Sequence, residues 1–132
     1  MDADRLKLKK AKRIVVKVGT AVVANPDGTM ALSRMGALVE SLRELKQEGR
    51  EVMLVSSGAV GLGRVQLGLS KEQVSKPDNF IDKQACAAAG QEMLMSMYHM
   101  MFNRLGLRAA QVLITQADLL ERHRYMFLTD TL

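Results

Sequence analysis

Residues 49–63, GREVMLVSSGAVGLG, predict a short strand over residues 51–55 that runs through a turn into a helix. The turn contains Ser57 and Gly58, and the helix is expected to begin at about Ala59. A helix that begins there leaves its first backbone N–H groups without intrahelical partners, and its dipole adds partial positive charge at the same point. These properties suit a small anion. The same residues are also explained if Ser57 is only the helix N-cap and the glycines only fit the turn.

The preceding part of the chain supplies a matching strand and helix. Arg13–Val18, RIVVKV, is a β-branched run with charges before it and Gly19 after it, which is typical of a buried parallel strand. Ser33 is a candidate N-cap for a helix that Gly49 ends. The apolar residues of that helix recur at spacings of three and four: Met35, Leu38, Val39, Leu42 and Leu45. The two strands and the helix between them predict a βαβ unit, whose strands run parallel.

Parallel strands bring their carboxyl ends to one edge of the sheet, which is where ligands bind in open parallel sheets. Gly19 and Thr20 follow the first strand, and Ser57 and Gly58 follow the second, so these residues are predicted to lie together. Lys17 lies in the apolar run beside this edge. A buried ammonium group costs free energy unless it reaches solvent or binds an anion. At this position it could stabilise a phosphoryl group during transfer.

The second half of the chain is expected to hold a loop, a long helix, a third strand and a final helix. Residues 68–76 are polar and predict a loop. The long helix is predicted over residues 81–105, from Ile81 to Leu105, with small residues at 85–90 that permit close backbone approach. It carries more methionine than one apolar stripe needs, which core packing and a subunit interface can both explain. Residues 108–114 predict the third strand and residues 119–132 the last helix.

Composition bounds the classes of function. The chain has 132 residues, 48% of them hydrophobic, and is expected to form about one domain with a packed core. Its net charge of +5 is concentrated near the start, at Arg5, Lys7, Lys9, Lys10, Lys12, Arg13 and Lys17. Such a run is more often a solvated extension than a site for phosphates or acidic surfaces. With 3 Phe, 2 Tyr and no Trp there is no platform for stacking bases, so we predict no nucleic-acid partner.

Cysteine usage and hydropathy indicate the compartment. Cys86 is the only cysteine of the sequence and can form no internal disulfide, which fits a reducing environment. The start of the chain has no apolar segment typical of a secretory signal, and no stretch approaches the length needed to span a bilayer. We therefore expect a cytoplasmic protein with no membrane partner.

Several common site types are not supported. The sequence has no GxxxxGK[ST] motif, and GAVGLG at residues 58–63 has the spacing G-x-x-G-x-G rather than that of a dinucleotide fingerprint. One Cys and two separated His residues make no metal cluster, so no metal-ligating residue is predicted. A nucleophilic triad would need a histidine near Ser57, and the sequence places neither His99 nor His123 there.

Four stretches in order resemble one known family. They are VKVGT at residues 16–20, VSSGAVGLGR at 55–64, KQACAAAGQEMLM at 83–95 and QVLITQADLLERHRYMFLTDTL at 111–132. The chain resembles the glutamate 5-kinase family of the amino acid kinase superfamily, which occurs alone or as the first half of pyrroline-5-carboxylate synthase. The resemblance implies an α/β fold: a three-layer sandwich with a mainly parallel sheet, here only its N-terminal half. It also implies transfer of the ATP γ-phosphoryl group to the side-chain carboxylate of L-glutamate, with Mg²⁺ accompanying ATP.

The resemblance assigns roles to individual residues. Lys17 matches the family lysine that holds the phosphates and stabilises the transferring group. Gly19 and Thr20 match the neighbouring phosphate-side loop. Ser57, Gly58 and Ala59 match the turn that binds glutamate.

The resemblance also sets the expected extent of the domain. Residues 1–12 are expected to be a basic N-terminal extension, and residues 13–132 the N-terminal part of an amino acid kinase domain without its C-terminal nucleotide-binding part. We expect this part alone to be inactive and to form a homo-oligomer through the long helix. Three alternatives stay open: an amino acid kinase that acts on a carbamate, aspartate or nucleotide, a non-catalytic half-domain that binds glutamate, and a basic nucleic-acid binder that would depend on the first seventeen residues alone.

Overall fold

The computed structural model describes residue 7 and residues 9–132, so Arg5 of the basic run lies outside the described residues. The strands β1 (Arg13–Val18) and β2 (Glu51–Ser56) pair in parallel. Their register runs from Arg13 opposite Glu51 to Val18 opposite Ser56. The predicted parallel pair is therefore confirmed, and both strands end at the same edge.

Helices make up most of the rest of the described chain. In order they are α1 (Thr20–Val23), α2 (Leu32–Gln47), α3 (Ala59–Gln66), α4 (Lys71–Ser75), α5 (Phe80–Arg104), α6 (Gln116–Leu120) and α7 (Arg122–Thr131). The crossover between the parallel strands β1 and β2 contains α1 and α2, and α3 follows β2. This arrangement confirms the α/β fold class.

One face of the sheet packs against helices. Val16 and Leu54 are partly buried against the core cluster. Val15 and Val55, which point the other way because side chains alternate along a strand, are 58% and 45% exposed. Lys17 is also exposed on this second face. The described helices therefore cover the even-numbered positions of β1 and β2.

The predicted apolar stripe of α2 is confirmed. Met35, Val39 and Leu42 are almost fully buried, and Leu38 and Leu45 pack against the same cluster. Gly49 follows the helix with a positive φ of 78°, as a residue after a helix end often does. The predicted start is wrong, because Ala31 rather than Ser33 is the N-cap and no side-chain cap hydrogen bond is made.

Helices α3 and α5 cross with their backbones in contact. A Cβ atom on Gly63 would collide with the backbone of Cys86, and one on Gly90 would collide with the backbone of Ala59. Cys86 is fully buried at this crossing. The small residues that predicted a close approach are therefore used for it, and the crossing fixes α3 beside the long helix.

Two segments differ from the predicted elements because capping interactions form locally. Residues 71–75 are the helix α4, not a loop, since Ser70 and Gln73 form a reciprocal capping box. The predicted last helix is divided into α6 and α7 at Glu121, whose φ of −85° and ψ of 119° are extended. A second capping box, between Thr115 and Asp118, begins α6.

The third predicted strand is wrong. Residues 108–114 form no regular secondary structure, and none of their backbone groups makes a hydrogen bond to a described strand. Leu113 is 74% exposed and Ile114 46% exposed. A β-branched apolar run becomes a strand only where a neighbouring strand accepts its hydrogen bonds, and the described residues supply none here.

Candidate functional site at the strand ends

The two loops that follow β1 and β2 lie side by side. Lys17 is opposite Val55 in the register, one step before the strands end. The backbone N–H of Ser57 donates to the carbonyl of Val18 at 3.1 Å, which continues the pairing beyond the last strand residue. The structure therefore brings together the two segments that the sequence placed at one edge.

Two hydroxyl groups meet between these loops. The Oγ1 atom of Thr20 lies 3.3 Å from the Oγ atom of Ser57, at an exposed position. Ser57 does not cap α3, because the N-cap is Gly58 and no side chain makes a cap hydrogen bond there. The interpretation of Ser57 as only a helix cap is therefore wrong. Its hydroxyl remains at the surface, where a ligand can reach it.

Gly58 makes the sharp entry into α3 possible. Its φ of 116° lies in the left-handed region that favours glycine, and a Cβ atom there would collide with the side chain of Val23 in α1. The N–H groups of Ala59, Val60 and Gly61 have no backbone acceptor among the described residues. These donors and the helix dipole form the kind of helix end that binds anions.

Lys17 brings positive charge to the same edge. Its side chain is exposed, and within the described part of the chain its ammonium group makes no hydrogen bond or ion pair. The lysine therefore avoids the cost of burial by reaching solvent, and its charge is available to an anion.

A cavity of about 390 Å³ opens beside Thr20. The Asn25–Gly28 turn forms one wall, and residues of α3, α4 and α5 form the others. Its charged lining residues are Arg64, Lys71 and Lys83, and no carboxylate lines it. Arg64 is oriented by a 3.0 Å hydrogen bond from Nη1 to the carbonyl of Leu69. A cavity with this charge suits an anionic small molecule.

The turn beside this cavity is held by local hydrogen bonds. Asp27 accepts from both the backbone N–H and the hydroxyl of Thr29, at 2.9 and 2.7 Å. These two bonds, the hydroxyl bond first, hold the pKa of the Asp27 carboxyl below its usual value of 3.8. Gly28 closes the turn with a φ of 88°.

The domain that carries this site has a recognisable family sequence pattern. The sequence profile described as the amino acid kinase family matches residues 12–132. The chain belongs to the amino acid kinase family.

Individual relatives agree with this membership. A delta-1-pyrroline-5-carboxylate synthase of Mesembryanthemum crystallinum is 47% identical over an alignment of 137 positions, which covers 99% of this chain and 19% of that protein. A glutamate 5-kinase of Moorella thermoacetica is 48% identical over 122 residues, which cover 92% of this chain and 31% of the kinase. The chain thus spans about a fifth of the synthase and about a third of the kinase. The resemblance found in four sequence segments is confirmed.

Sequence reasoning missed the cations of this amino acid kinase cavity. Arg64 directly follows the glycine-rich stretch, which is a usable signal. Lys71 lies in the segment predicted as a loop. Lys83 lies in the long helix, which was predicted to serve core packing or a subunit interface. Only the packing of α4 against α5 brings them to one cavity.

The reasoning also missed Tyr98, because it lies 42 positions from its partner. Its hydroxyl is 2.9 Å from the Oγ atom of Ser56, the last residue of β2. The Tyr98 side chain is buried, and burial raises the pKa of its phenol, although the hydrogen bond to Ser56 partly opposes this shift.

The strand-end donors fit phosphates better than a protein-held metal. Among the described residues, no group of three or more His, Cys, Asp or Glu side chains could hold a metal ion. Hydroxyl groups, backbone N–H groups and an ammonium are instead what phosphate oxygens bind. Across the residues that the structure describes, no helix combines the length and the apolar character needed to cross a membrane.

Proposed function

We propose that this chain carries part of the active site of a glutamate 5-kinase, which transfers the γ-phosphoryl group of ATP to the side-chain carboxylate of L-glutamate. The product is glutamyl 5-phosphate, and the reaction is the first step of proline biosynthesis. The 3.3 Å contact between Thr20 and Ser57, at the edge that also holds Lys17, is the observation that carries the proposal. In this proposal residues 13–132 are the N-terminal part of the kinase domain, and residues 1–12 are an extension.

Each loop has a separate role in this mechanism. Gly19 and Thr20 bind the phosphate side, and Ser57, Gly58 and Ala59 bind glutamate. A glutamate carboxylate oxygen attacks the γ-phosphorus, while the bond to the β,γ-bridging oxygen breaks and its electron pair leaves with ADP. Lys17 stabilises the negative charge on the transferring group, whose oxygens would otherwise repel the attacking carboxylate.

The cation that accompanies ATP needs no protein cluster in this part of the chain. Mg²⁺ binds through phosphate oxygens and one or two carboxylates in most nucleotide sites, and it neutralises phosphate charge when bound. We infer that Mg²⁺ is held here mainly by the ATP phosphates. The residues at the strand ends then act on the phosphates and on glutamate.

The basic cavity supports glutamate as the acceptor, because Val60 and Gly61, which directly follow the turn of Ser57, Gly58 and Ala59, line it. Glutamate carries two carboxylates and one ammonium group, so its net charge at neutral pH is negative. Arg64, Lys71 and Lys83 offer positive charge next to Thr20. This arrangement favours an anionic amino acid over a neutral one.

Calorimetry of the chain with L-glutamate tests the proposal, with L-aspartate and carbamate as competing acceptors. We expect L-glutamate to bind most tightly, and Ser57→Ala to weaken it about tenfold, as loss of a hydrogen bond to a charged group does. Ser33→Ala is the matched control, because Ser33 is exposed on α2 and makes no cap hydrogen bond.

The calorimetric results separate the alternatives. Equal affinity for all three acceptors would contradict the glutamate assignment and favour another amino acid kinase. Glutamate binding without ATP binding would favour a non-catalytic half-domain. An ADP-release assay with the same acceptors then tests whether the chain turns over at all, which we do not expect of this part alone.

We also propose a homo-oligomer that forms through the long helix and a cytoplasmic location, without a nucleic-acid partner. Phe80 and Ile81 at the start of α5 are 65% and 78% exposed, which supports a contact there. Light scattering should show a smaller assembly for Ile81→Glu than for the unchanged chain. An identical mass for both would contradict a contact through this helix.

A further inference from the structure

Tyr98 connects the long helix α5 to the last residue of β2. Its side chain is 2% exposed and belongs to the core cluster, where its ring stacks near Phe102 with centroids 6.0 Å apart. Only its hydroxyl leaves this apolar contact, to lie 2.9 Å from Ser56 Oγ. A phenylalanine would supply the same packing, so the hydroxyl has a separable role.

A second hydrogen bond leads from Ser56 into the turn of Ser57, Gly58 and Ala59, which we call the glutamate turn. Ser56 Oγ donates to the carbonyl of Ser57 at 3.2 Å, so it has an acceptor lone pair free for the Tyr98 hydroxyl. Burial raises the pKa of Tyr98, so the phenol keeps its proton at neutral pH and can donate. The result is a series of two hydrogen bonds, in which Tyr98 donates to Ser56 and Ser56 donates to the backbone carbonyl of Ser57.

The same peptide segment is fixed from two other sides. The N–H of Ser57 donates to the carbonyl of Val18, and its hydroxyl meets Thr20. These contacts hold the turn to the β1 loop, whereas the Tyr98 series holds it to α5. The Ser57 carbonyl accepts from the Ser56 hydroxyl. Without the hydroxyl of Tyr98, the Ser56 hydroxyl loses the hydrogen bond that orients it.

We infer that Tyr98 is a positioning residue for the glutamate turn, acting through Ser56 on the orientation of the Ser57 peptide. It does not itself touch substrate. The inference rests on the proposed function, because the turn is assigned to glutamate there. It goes further by giving α5 an indirect part in substrate binding, through Ser56.

Tyr98→Phe in the full chain is the test, and Tyr125→Phe is the matched control. Both remove one phenolic hydroxyl, but Tyr125 is 50% exposed on α7. We expect Tyr98→Phe to raise the dissociation constant for L-glutamate roughly threefold to tenfold, as loss of one buried hydrogen bond does. Tyr125→Phe should change it by less than about twofold, within the range of typical surface substitutions.

Hydrogen exchange of the Ser57 amide supplies a second measurement that needs no ligand. Exchange at Ser57 should become faster in Tyr98→Phe, while exchange at Val39 in α2 should stay unchanged. An equal acceleration at Ser57 and Val39 would show a general loss of stability and overturn the inference. Unchanged glutamate affinity together with unchanged Ser57 exchange would overturn it as well.

Ser56→Ala completes the comparison. If Tyr98 acts through Ser56, the double variant Ser56→Ala/Tyr98→Phe should bind glutamate no more weakly than Ser56→Ala alone. Additive losses would show that Tyr98 does not act through Ser56. If the unchanged chain binds no glutamate, the proposed function fails, and the exchange measurement alone decides whether Tyr98 orients the turn.

Discussion

The hydroxyl oxygens of Thr20 and Ser57 lie 3.3 Å apart although the two residues are 37 positions apart in the chain. Parallel pairing of β1 with β2 produces this proximity, since Val18 and Ser56 are opposite each other at the ends of the strands. A ligand that contacts both hydroxyls therefore bridges the two halves of the βαβ unit. This geometry suits transfer of a group between two molecules, one held by each loop.

Removal of the Lys17 ammonium should slow phosphoryl transfer. Lys17→Ala is expected to lower kcat by about 10²-fold or more, as loss of a preorganised charge donor can. ADP release at saturating ATP and glutamate measures this effect in any preparation with glutamate-dependent activity. Lys46→Ala, at the far end of α2, is the control and should leave kcat unchanged. An unchanged kcat in Lys17→Ala would remove Lys17 from the mechanism.

Removal of a cation from the cavity should weaken glutamate binding. Lys83→Ala is expected to raise the dissociation constant about twofold to fivefold, because an exposed ion pair contributes up to about 1 kcal/mol. The difference should shrink at high salt, which screens exposed charges. Lys76→Ala is the matched control, since Lys76 does not line the cavity. Equal effects of both substitutions would argue against a glutamate site in the cavity.

A glycine-to-alanine change should have opposite effects in two helices. In α2, Gly36→Ala meets no atom within 4 Å and should stabilise the fold by up to about 1 kcal/mol, the difference in helix propensity. In α5, Gly90→Ala would collide with the backbone of Ala59 and should destabilise by about 1–3 kcal/mol. Urea denaturation gives both free energies of unfolding. Stabilisation by both substitutions would show that α3 and α5 do not touch there.

The Asp27 carboxyl should titrate below its usual range. Its folded pKa is lowered from 3.8, first by the hydroxyl of Thr29, so it contributes stability above the unfolded pKa that is lost as pH falls through the folded value. NMR titration should find that Thr29→Val raises this pKa and that Thr129→Val, at the other end of the chain, does not. The same low pKa in Thr29→Val would exclude the hydroxyl as the cause.

Local patterns predicted the parts of the fold that depend on local contacts. The stripe of Met35, Val39 and Leu42 predicted α2, because an amphipathic helix shows its buried face in sequence spacing. The strand-turn-helix at residues 51–63 was likewise predicted, apart from the identity of the cap. Residues 108–114 show the limit. An apolar run predicts that a strand is possible, but the strand forms only where another segment pairs with it, and no described segment pairs with this one.

The sheet topology predicted the residues at the strand ends of the candidate site, but it did not predict the contact from α5. Lys17, Thr20 and Ser57 could be placed together because parallel strands end at one edge. Tyr98 lies on a helix face whose spacing gives only burial, so its hydrogen bond to Ser56 has no sequence signal. The contact between Tyr98 and Ser56 depends on how α5 is rotated about its axis against the sheet, and packing of the core sets that rotation.

The backbone contact at Gly63 and Gly90 leaves α3 no room to slide along α5. The N-terminal end of α3 is therefore held in place, so a substrate that binds there cannot shift the helix. We therefore expect closure over a bound ligand to move the Asn25–Gly28 turn or the short helix α4, which also border the cavity, rather than α3.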